Sequence, residues 1–462
     1  MRNTVLLSTL LLFSLMGTQA QSGTQLPTAP DRSLDLYAQA SNPAPMGSSP
    51  PTASQPTLTR AQAEQTALRN NPRVSVSQLL ALAQHQVVRE ARSAELPTAN
   101  GAITAEKALN ASRISAGSLT ASRLFTHAGT GGDFTQLITD FGRTHNLVLT
   151  QKLAEQAAKA NSLATKEEIV LAADQAFYDA LTAQAVLEVA RQTVNTRQAT
   201  QTQVNQLTQN NLRSTLDLSF ANVNLSQSQL LQLDAQKNAD ATMATLDSVL
   251  GLDHEVTYQL VDDSTQNAAP PPDFNPLIQT ALAQRPDLQS LTFGQQSAQK
   301  FARAQWDQML PSVNAAGTVG SVPVRVDQYY LNNWWGGVGV NVNIPIFNGF
   351  LYSAEAKEAR YRAQADAEST RDLRDRIVRD VRMAWLQANT AYQRIGVSAE
   401  LLKQANMALQ LAQTRYQLGL NSIVELSQAQ LQQTSAAIGN TNAQYEYRLS
   451  LATLNYQIGT TP

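Results

Sequence analysis

The sequence has no cysteine, little charge, few aromatic residues and no long apolar run beyond its first twenty residues. Without cysteine, disulfides and a lipid-modified N-terminal thiol are excluded. Charged residues make up only 15% and the net charge is −2, so no basic face is available and a nucleic-acid partner is not expected. Since no later segment could span a bilayer as a helix, insertion into a membrane would have to use strands.

Residues that could serve catalysis or metal binding are present, but not in working arrangements. Asp140-Phe141-Gly142 matches a kinase metal motif without the catalytic loop that accompanies it. The four histidines are scattered and show no ligand spacing. The sequence therefore predicts no enzyme, no catalytic residue, no cofactor and no metal site.

The N-terminal part has the composition of an export signal followed by a flexible arm. Arg2 supplies a positive start, an apolar run follows, and Thr18-Gln19-Ala20 supplies a small-residue cleavage site. We therefore predict a signal peptide at 1–20. Residues 21–57 are rich in Pro, Ser and Thr without apolar periodicity, which predicts a flexible arm.

The rest of the chain is a duplication. Phe177 and Trp385 are offset by 208 positions, and Gly251 and Gly459 keep the same offset. Before the strands the offset is 214. A spacing that is constant over more than a hundred residues indicates an internal repeat. The predicted boundaries are 58–251 for the first repeat, 252–275 for a linker and 276–462 for the second repeat.

Each repeat is predicted to contain a leading helix, two strands, a very long helix, a tip and a returning helix. The long helices contain no proline, and at 1.5 Å per residue each would extend about 100 Å. The predicted ranges are leading helices at about 58–94 and 276–309, strands at about 97–141 and 311–347, long helices at 143–209 and 351–417, tips at 210–214 and 418–422, and returning helices at 214–250 and 422–458.

Apolar or small residues recur every seven positions along these helices, which predicts knobs-into-holes packing. The remaining faces carry Gln, Asn, Ser and Thr rather than Glu and Lys, as expected for helices in the wall of a hollow barrel. The series in the long helices are Ala173, Ala180, Leu187 and Val194, and Val381, Ala388, Ile395 and Leu402; those in the returning helices are Leu216, Val223 and Leu230, and Val424, Leu431 and Ile438.

The two tips are predicted from breakers and caps. Gly419 supplies a left-handed residue after the second long helix, and Asn211 stands at the corresponding place in the first. Asn421-Ser422 can then cap the returning helix. Asp217 and Glu425 fall in the first helical turn, where the helix dipole favours acids.

One segment has the pattern of a membrane-spanning strand. From Gly337 to Ile346, apolar residues alternate with glycine and asparagine, and aromatic residues flank the run. The alternative is the edge of a soluble sandwich. The apolar face is Val338, Val340, Val342, Ile344 and Ile346, and the candidate interfacial aromatics are Tyr329, Tyr330, Trp334, Trp335 and Phe347.

Four strands in one chain cannot close a barrel. Because open edges in lipid leave backbone groups unpaired at several kcal/mol each, a membrane sheet here requires further subunits. Three copies would give twelve strands, an even number within the bacterial range.

Taken in order, these motifs resemble the TolC family of outer-membrane efflux proteins. The resemblance covers about residues 58–459. It implies a homotrimer with a transmembrane β-barrel in outer-membrane lipid, a long periplasmic α-barrel, and tips opened by a periplasmic adaptor and an inner-membrane pump. The motifs are Ala67-Leu68-Arg69-Asn70-Asn71-Pro72, Leu96-Pro97, Asp140-Phe141-Gly142-Arg143, Ile346-Phe347-Asn348-Gly349 and the tip from Tyr416 to Leu426.

The resemblance also implies which tip residues form a gate. Glu425 matches the first acidic position after the tip glycine, but Gln428 stands where a second acid is common. Asn421 replaces a basic residue of the family pattern, and Arg213 occupies the equivalent place in the first tip. Tyr416 keeps the tyrosine that precedes the glycine.

Two other classes of protein remain as alternatives. A periplasmic adaptor or coiled-coil tether would keep the hairpins but would not need membrane strands. An exported adhesin or structural coiled coil would not need strand pairs between its helices. Partition into the outer membrane and conductance in bilayers would distinguish a channel from both.

Overall fold

The computed structural model describes residues 57–107, 113–116, 119–123, 127–254, 258–262, 269–321 and 334–460. The predicted signal peptide, the arm up to residue 56, and the predicted aromatics Tyr329 and Tyr330 lie outside these ranges. Helices dominate the described residues, which confirms the mainly helical class. None of these helices combines the length and hydropathy of a membrane-spanning segment.

The helices fall into two corresponding sets of four. In chain order they are α1 (Arg60–Asn70), α2 (Pro72–Ser93), α3 (Arg143–Gln209), α4 (Thr215–Leu250), α5 (Asn275–Gln284), α6 (Pro286–Asp307), α7 (Leu351–Gln417) and α8 (Ile423–Ile458). Both long helices contain 67 residues and both returning helices contain 36. The long helices have the bounds given above, and each returning helix begins one residue later because its first predicted residue is the cap.

The strands form one antiparallel sheet of four and two small pairs. They are β1 (Thr57–Thr59), β2 (Thr98–Glu106), β3 (Arg113–Ala116), β4 (Leu119–Arg123), β5 (His127–Thr139), β6 (Gln259–Val261), β7 (Ser312–Ser321) and β8 (Trp334–Asn343). The four-stranded sheet has the order β2-β5-β7-β8, so the strands of the two repeats meet between β5 and β7. β1 pairs in parallel with β6, and β3 pairs with β4. The second strand of the first repeat, predicted from Leu119 to Phe141, is thus two strands, β4 and β5.

The leading helices are broken, contrary to the continuous helices predicted. Asn71 and Arg285 have extended ψ angles of 122° between α1 and α2 and between α5 and α6. The cause is the proline that follows each of them, because proline disfavours helical geometry in the preceding residue and fits the first position of a new helix. Asn71 also caps α2 by accepting from the amide of Arg73 at 3.0 Å.

Each returning helix ends against one of these breaks. Gly251 has φ +72°, and a Cβ atom there would lie 2.8 Å from the carbonyl group of Asn70. In the second repeat Gly459 lies against Arg285, whose Nη1 donates to the carbonyl oxygen of Gln457 at 3.2 Å. Only glycine allows so close an approach at Gly251. The returning and leading helices therefore lie end to end beside one long helix.

The helical seams are thin because alanine occupies much of them. In α7 the buried positions Ala384, Ala391, Ala405 and Ala412 keep a spacing of seven or fourteen residues. The long-helix positions Ala173, Ala180, Val381 and Ala388 are buried, as predicted. The prediction for the returning helices is wrong at its first positions: Leu216, Val223, Leu230, Val424 and Leu431 are exposed. Smaller residues such as Ala221, Ser228, Ala235 and Ala429 face the seam instead, which allows the helices to approach closely.

Candidate functional site: the helical tips and the four-stranded sheet

Both tips are closed by the same left-handed turn. Asn211 has φ +56° and Gly419 has φ +74°. After the second long helix, the amide of Leu420 donates to the carbonyl oxygen of Arg415 at 2.8 Å, and the corresponding bond closes the first tip. This is the glycine-type helix ending in which an αL residue satisfies otherwise unpaired carbonyl groups. Asparagine is the non-glycine residue best suited to that conformation.

The returning helices start with serine caps and an acid in the first turn. Ser214 Oγ accepts from the amide of Asp217 at 3.2 Å, and Ser422 Oγ accepts from the amide of Glu425 at 3.3 Å. Asn421, predicted as part of the cap, instead donates from Nδ2 to the carbonyl oxygen of Ala412 at 3.2 Å. The two tips therefore share a backbone design and differ in the side chain that precedes the cap.

Arg213 connects the first tip to the second. Its Nη2 donates to the carbonyl oxygen of Tyr416 at 2.8 Å, and its guanidinium lies 4.4 Å from the centre of the tyrosine ring. A cation over an aromatic face contributes about 0.5–1 kcal/mol at an exposed site and more when water is excluded. The structure thus brings together two of the predicted tip residues that are far apart in the sequence.

Tyr416 is the centre of the contact between the tips. It is 2% exposed and belongs to a buried cluster that includes Val204 and Ala221 of the first hairpin and Ile423 and Leu426 of the second. Its hydroxyl group is buried and has no hydrogen-bond partner among the described residues. Burial raises the pKa of Tyr416, the guanidinium of Arg213 opposes that rise, and Asp217 adds to it.

The acidic tip residues have different surroundings. Glu425 is exposed and lies 3.5 Å from Nη1 of Arg415, which is also exposed. Asp217 is half-buried and close enough to Tyr416 to affect its pKa. Gln428 is exposed on the second turn of α8. Among the described residues, an ion pair is found for Glu425 and not for Asp217.

A polar layer further along the hairpins was missed in the sequence. Arg197 of α3 is buried and donates from Nη1 to Oε1 of Gln430 of α8, and Nε2 of Gln430 donates to Thr200 at 3.2 Å. The sequence does contain a signal for this layer. Arg197 interrupts the seven-residue series between Ala190 and Val204, at a position that is Ala405 in the second repeat.

The four-stranded sheet has one apolar and one polar face. Residues paired in antiparallel register lie on the same face, so Val338, Gly317, Phe134 and Ala99 form one row. In the next row on the same face, Val319 of β7 lies between Gly132 of β5 and Gly336 of β8. The opposite face carries Asn100, whose Nδ2 donates to Asp133 at 3.1 Å, and the paired Thr98 and Thr135 hydroxyl groups 2.6 Å apart.

The apolar face is uncovered in a single chain. Val338 is 94% exposed, and Val340, Val342, Phe134 and Val319 are exposed as well. Among the described residues, the edge strands β2 and β8 each pair on one side only within this sheet. The sheet therefore has an unpaired edge at each end and an apolar surface without a partner.

The ends of β8 differ from the prediction. Trp334 and Trp335 are the first two residues of the strand rather than residues before it. The strand ends at Asn343, which pairs with Ser312, the first residue of β7. Ile344 and Ile346 therefore follow the hydrogen-bonded strand, although both are exposed. Phe347 also follows the strand, as predicted, and its ring lies 5.5 Å from that of Phe350.

The duplicated helical hairpins and the two-faced β-sheet can be compared with known proteins. The outer membrane efflux protein family model matches residues 277–460, most of the second repeat. These and the following matches confirm the resemblance to the TolC family.

Three relatives illustrate the similarity. The outer membrane protein TolC of Salmonella enteritidis is 22% identical over 337 residues, which cover 71% of this chain and 68% of that protein. The alkaline protease secretion protein AprF of Pseudomonas aeruginosa is 23% identical over 327 residues, covering 69% of this chain and 66% of AprF. The outer-membrane channel OprN has the same fold, with a TM-score of 0.78, 17% identity, and coverage of 87% and 90% of the two chains.

Proposed function

We propose that this protein is the outer-membrane channel of a tripartite efflux or secretion system. Its relatives are named outer membrane proteins, which agrees with the location predicted from the sequence. The observation that carries the proposal is the sheet, whose apolar face is exposed and whose two edges have no pairing strand among the described residues of one chain. In lipid every edge group needs a partner, so the sheet must be completed by other subunits.

Three copies complete the sheet in this proposal. Each contributes four strands, which gives a twelve-stranded barrel with the Val338 face toward lipid and the Asn100 face toward the pore. A coiled-coil tether without a membrane barrel would leave Val338 and its neighbours exposed to water. The polar inner face suits a passive duct, because water and hydrophilic cargo then meet hydrogen-bonding groups.

The duplication supports a second part of the proposal, the interface between copies. Helix α6 packs against both α3 and α7, whereas α2, its counterpart, packs extensively only against α3 among the described residues. The uncovered side of α2 is apolar: Val76, Leu79, Leu80 and Leu82 are all more than half exposed. Repetition of the α6 arrangement between copies would place α2 against α7 of the next subunit.

The contacts of α6 with α3 then give the register of that interface. Ser290 Oγ donates to the carbonyl oxygen of Ala157 at 2.9 Å, and Ser297 Oγ to that of Thr150 at 2.9 Å. Ser290 corresponds to Val76 at the offset of 214, and Ala157 corresponds to Ala365 at the offset of 208. The repeated arrangement therefore puts Val76 of one copy beside Ala365 of the next. A wall of alternating intrachain and interchain seams results.

The tips form the periplasmic gate in this proposal. Arg213 and Tyr416 hold the two tips of one copy together, while Asp217 and Glu425 of three copies would lie around one axis. Like charges gathered at an entrance favour cations. The exposed series Leu216, Val223 and Leu230 recurs in the second hairpin and offers a regularly spaced apolar surface to a helical adaptor, which an inner-membrane pump would engage.

Fractionation and electrophysiology test the proposal together. The full-length protein is expected to partition with the outer membrane, to migrate as a trimer in mild detergent, and to conduct ions in planar bilayers. A water-soluble monomer that gives no conductance would contradict it. Purification of cross-linked partners from the inner membrane would test the adaptor and pump assignment independently.

A further inference from the structure

A polar cavity lies between α3, α7 and α8. Its volume is about 210 Å³, and its walls are formed mainly by amide and hydroxyl side chains around one cation. With a share of roughly 30 Å³ for a water molecule, it has room for a small ion with several waters and not for a large solute. Its principal polar residues are Arg197, Gln192, Gln413, Gln430, Gln433 and Thr434.

Arg197 is the only charged residue among those that line the cavity. It is 7% exposed, and its side chain bonds to Gln430. No carboxylate among the described residues lies within ion-pair distance of it, and burial without a compensating charge lowers its pKa. A buried charge normally needs a counter-charge, because the cost of removing it from water is otherwise not offset.

Packing does not account for this arginine. The corresponding residue of the second repeat, Ala405, is also buried, and alanine is the usual occupant of these seams. The first repeat thus has a large cation lining the cavity at a position where the second repeat has alanine. Gln413 and Gln433 add neutral amide donors beside the guanidinium, whereas the hydroxyl groups of Thr193 and Thr434 donate to the carbonyl oxygens of Val189 and Gln430.

We propose that this cavity is a binding site for a small monovalent inorganic anion of the halide type. The guanidinium of Arg197 supplies the charge, and glutamine side-chain amides complete the shell by donating hydrogen bonds. Bound there, the anion joins α3 of the first hairpin to α7 and α8 of the second. The site strengthens the contact between the hairpins of one chain and is independent of the proposed channel function.

Thermal unfolding of the purified full-length protein in detergent tests the site, with sodium chloride, sodium bromide and sodium gluconate at equal ionic strength. Chloride and bromide are expected to raise the Tm of the wild type relative to gluconate. Arg197→Gln should lose this halide-dependent rise. The matched control is Arg191→Gln, which removes an exposed arginine of the same helix that bonds to Gln236 and should keep the rise. Equal halide effects on all three proteins would overturn the proposal.

Crystals of the wild type soaked in bromide give a second readout that does not depend on any variant folding. An anomalous peak within hydrogen-bond distance of Arg197 is expected. Water alone, or a carboxylate of a neighbouring subunit beside the guanidinium, would overturn the proposal. A bromide peak without any halide effect on Tm would mean an adventitious ion only, and would overturn it equally.

Discussion

Arg213 holds Tyr416 through two groups at once, its main-chain carbonyl oxygen at 2.8 Å and its ring at 4.4 Å from the centre. The carbonyl belongs to the last turn of α7, where the helix dipole is negative, and it also accepts from the amide of Gly419 at 3.1 Å; the aromatic ring beside it attracts a cation as well. A cation is therefore favoured at this place for two separate reasons. Since Tyr416 is buried between the hairpins, the contact fixes the first tip against the second.

Replacement of Arg213 by methionine should loosen the closed tips. The change keeps a long side chain but removes both the hydrogen bond and the cation, so we expect a higher single-channel conductance or open probability. Arg213→Lys should restore the charge without the planar stacking geometry and recover the wild-type behaviour only in part. Arg191→Met, on an exposed part of α3, serves as the control. Unaltered conductance in Arg213→Met would contradict the gate assignment.

Substitutions at Tyr416 should separate ring packing from the hydroxyl group. Tyr416→Ala removes a fully buried aromatic ring and should cost about 3–5 kcal/mol of unfolding free energy. Tyr416→Phe should be close to neutral, because the hydroxyl group is buried without a partner among the described residues. Denaturant unfolding of the two variants checks this, and a large loss in Tyr416→Phe would show that the hydroxyl is bonded in the assembled protein.

The sequence predicts the helical frame well because its signals are local. Gly419 and Asn211 end the long helices in left-handed turns, and Ser214 and Ser422 cap the helices that follow. The breaks at Asn71 and Arg285 are equally local. Both are followed by proline, a local signal against the continuous leading helices that were predicted.

Sequence patterns could not predict the contacts between elements that are distant in the chain. The seven-residue series that includes Leu216 was predicted to lie in a seam, yet alanines take that place, since periodicity identifies a face without identifying its partner. The contact of Arg213 with Tyr416 crosses from one repeat to the other, and no local pattern indicates it. The apolar rows of the sheet likewise depend on strand register, which becomes visible only when Gly317 is paired with Val338.

Neutralising Glu425 should weaken cation preference. Glu425→Gln is expected to lower cation selectivity and divalent-ion block in planar bilayers, because three carboxylates at the entrance would be lost. Arg415→Gln should act in the opposite direction, since it removes the cation 3.5 Å from Glu425. Glu400→Gln, an exposed change farther along α7, is the control. If Glu425→Gln and Arg415→Gln shift selectivity in the same direction, the entrance model is wrong.

Glu167 should make stability depend on pH. Burial, helped by Asp287 and opposed by Arg285, raises the pKa of Glu167 from 4.5 to about 6. Below about pH 4.5 this carboxyl is protonated in both the folded and the unfolded protein, and its contribution to the free energy of unfolding is fully present. That contribution is lost as the pH rises from about 4.5 through 6, because the unfolded protein releases the proton more readily than the folded protein. Wild type and Glu167→Gln should thus be equally stable near pH 4, and the variant should be more stable above pH 6. A constant difference in Tm across this range would contradict the assignment.

Cysteine pairs can test the subunit interface directly, because the chain has no cysteine of its own. The doubly substituted Val76→Cys/Ala365→Cys protein should form disulfides between copies and give covalent dimers and trimers on a non-reducing gel. Its matched control is Ser290→Cys/Ala157→Cys, at the equivalent contact within one chain, which should oxidise but migrate as a monomer. Should the control oxidise while the Val76/Ala365 pair stays reduced, α2 does not pack against α7 of the next copy. Because both pairs derive from one repeated geometry, a difference between them reports the interface itself and not the ease of oxidation.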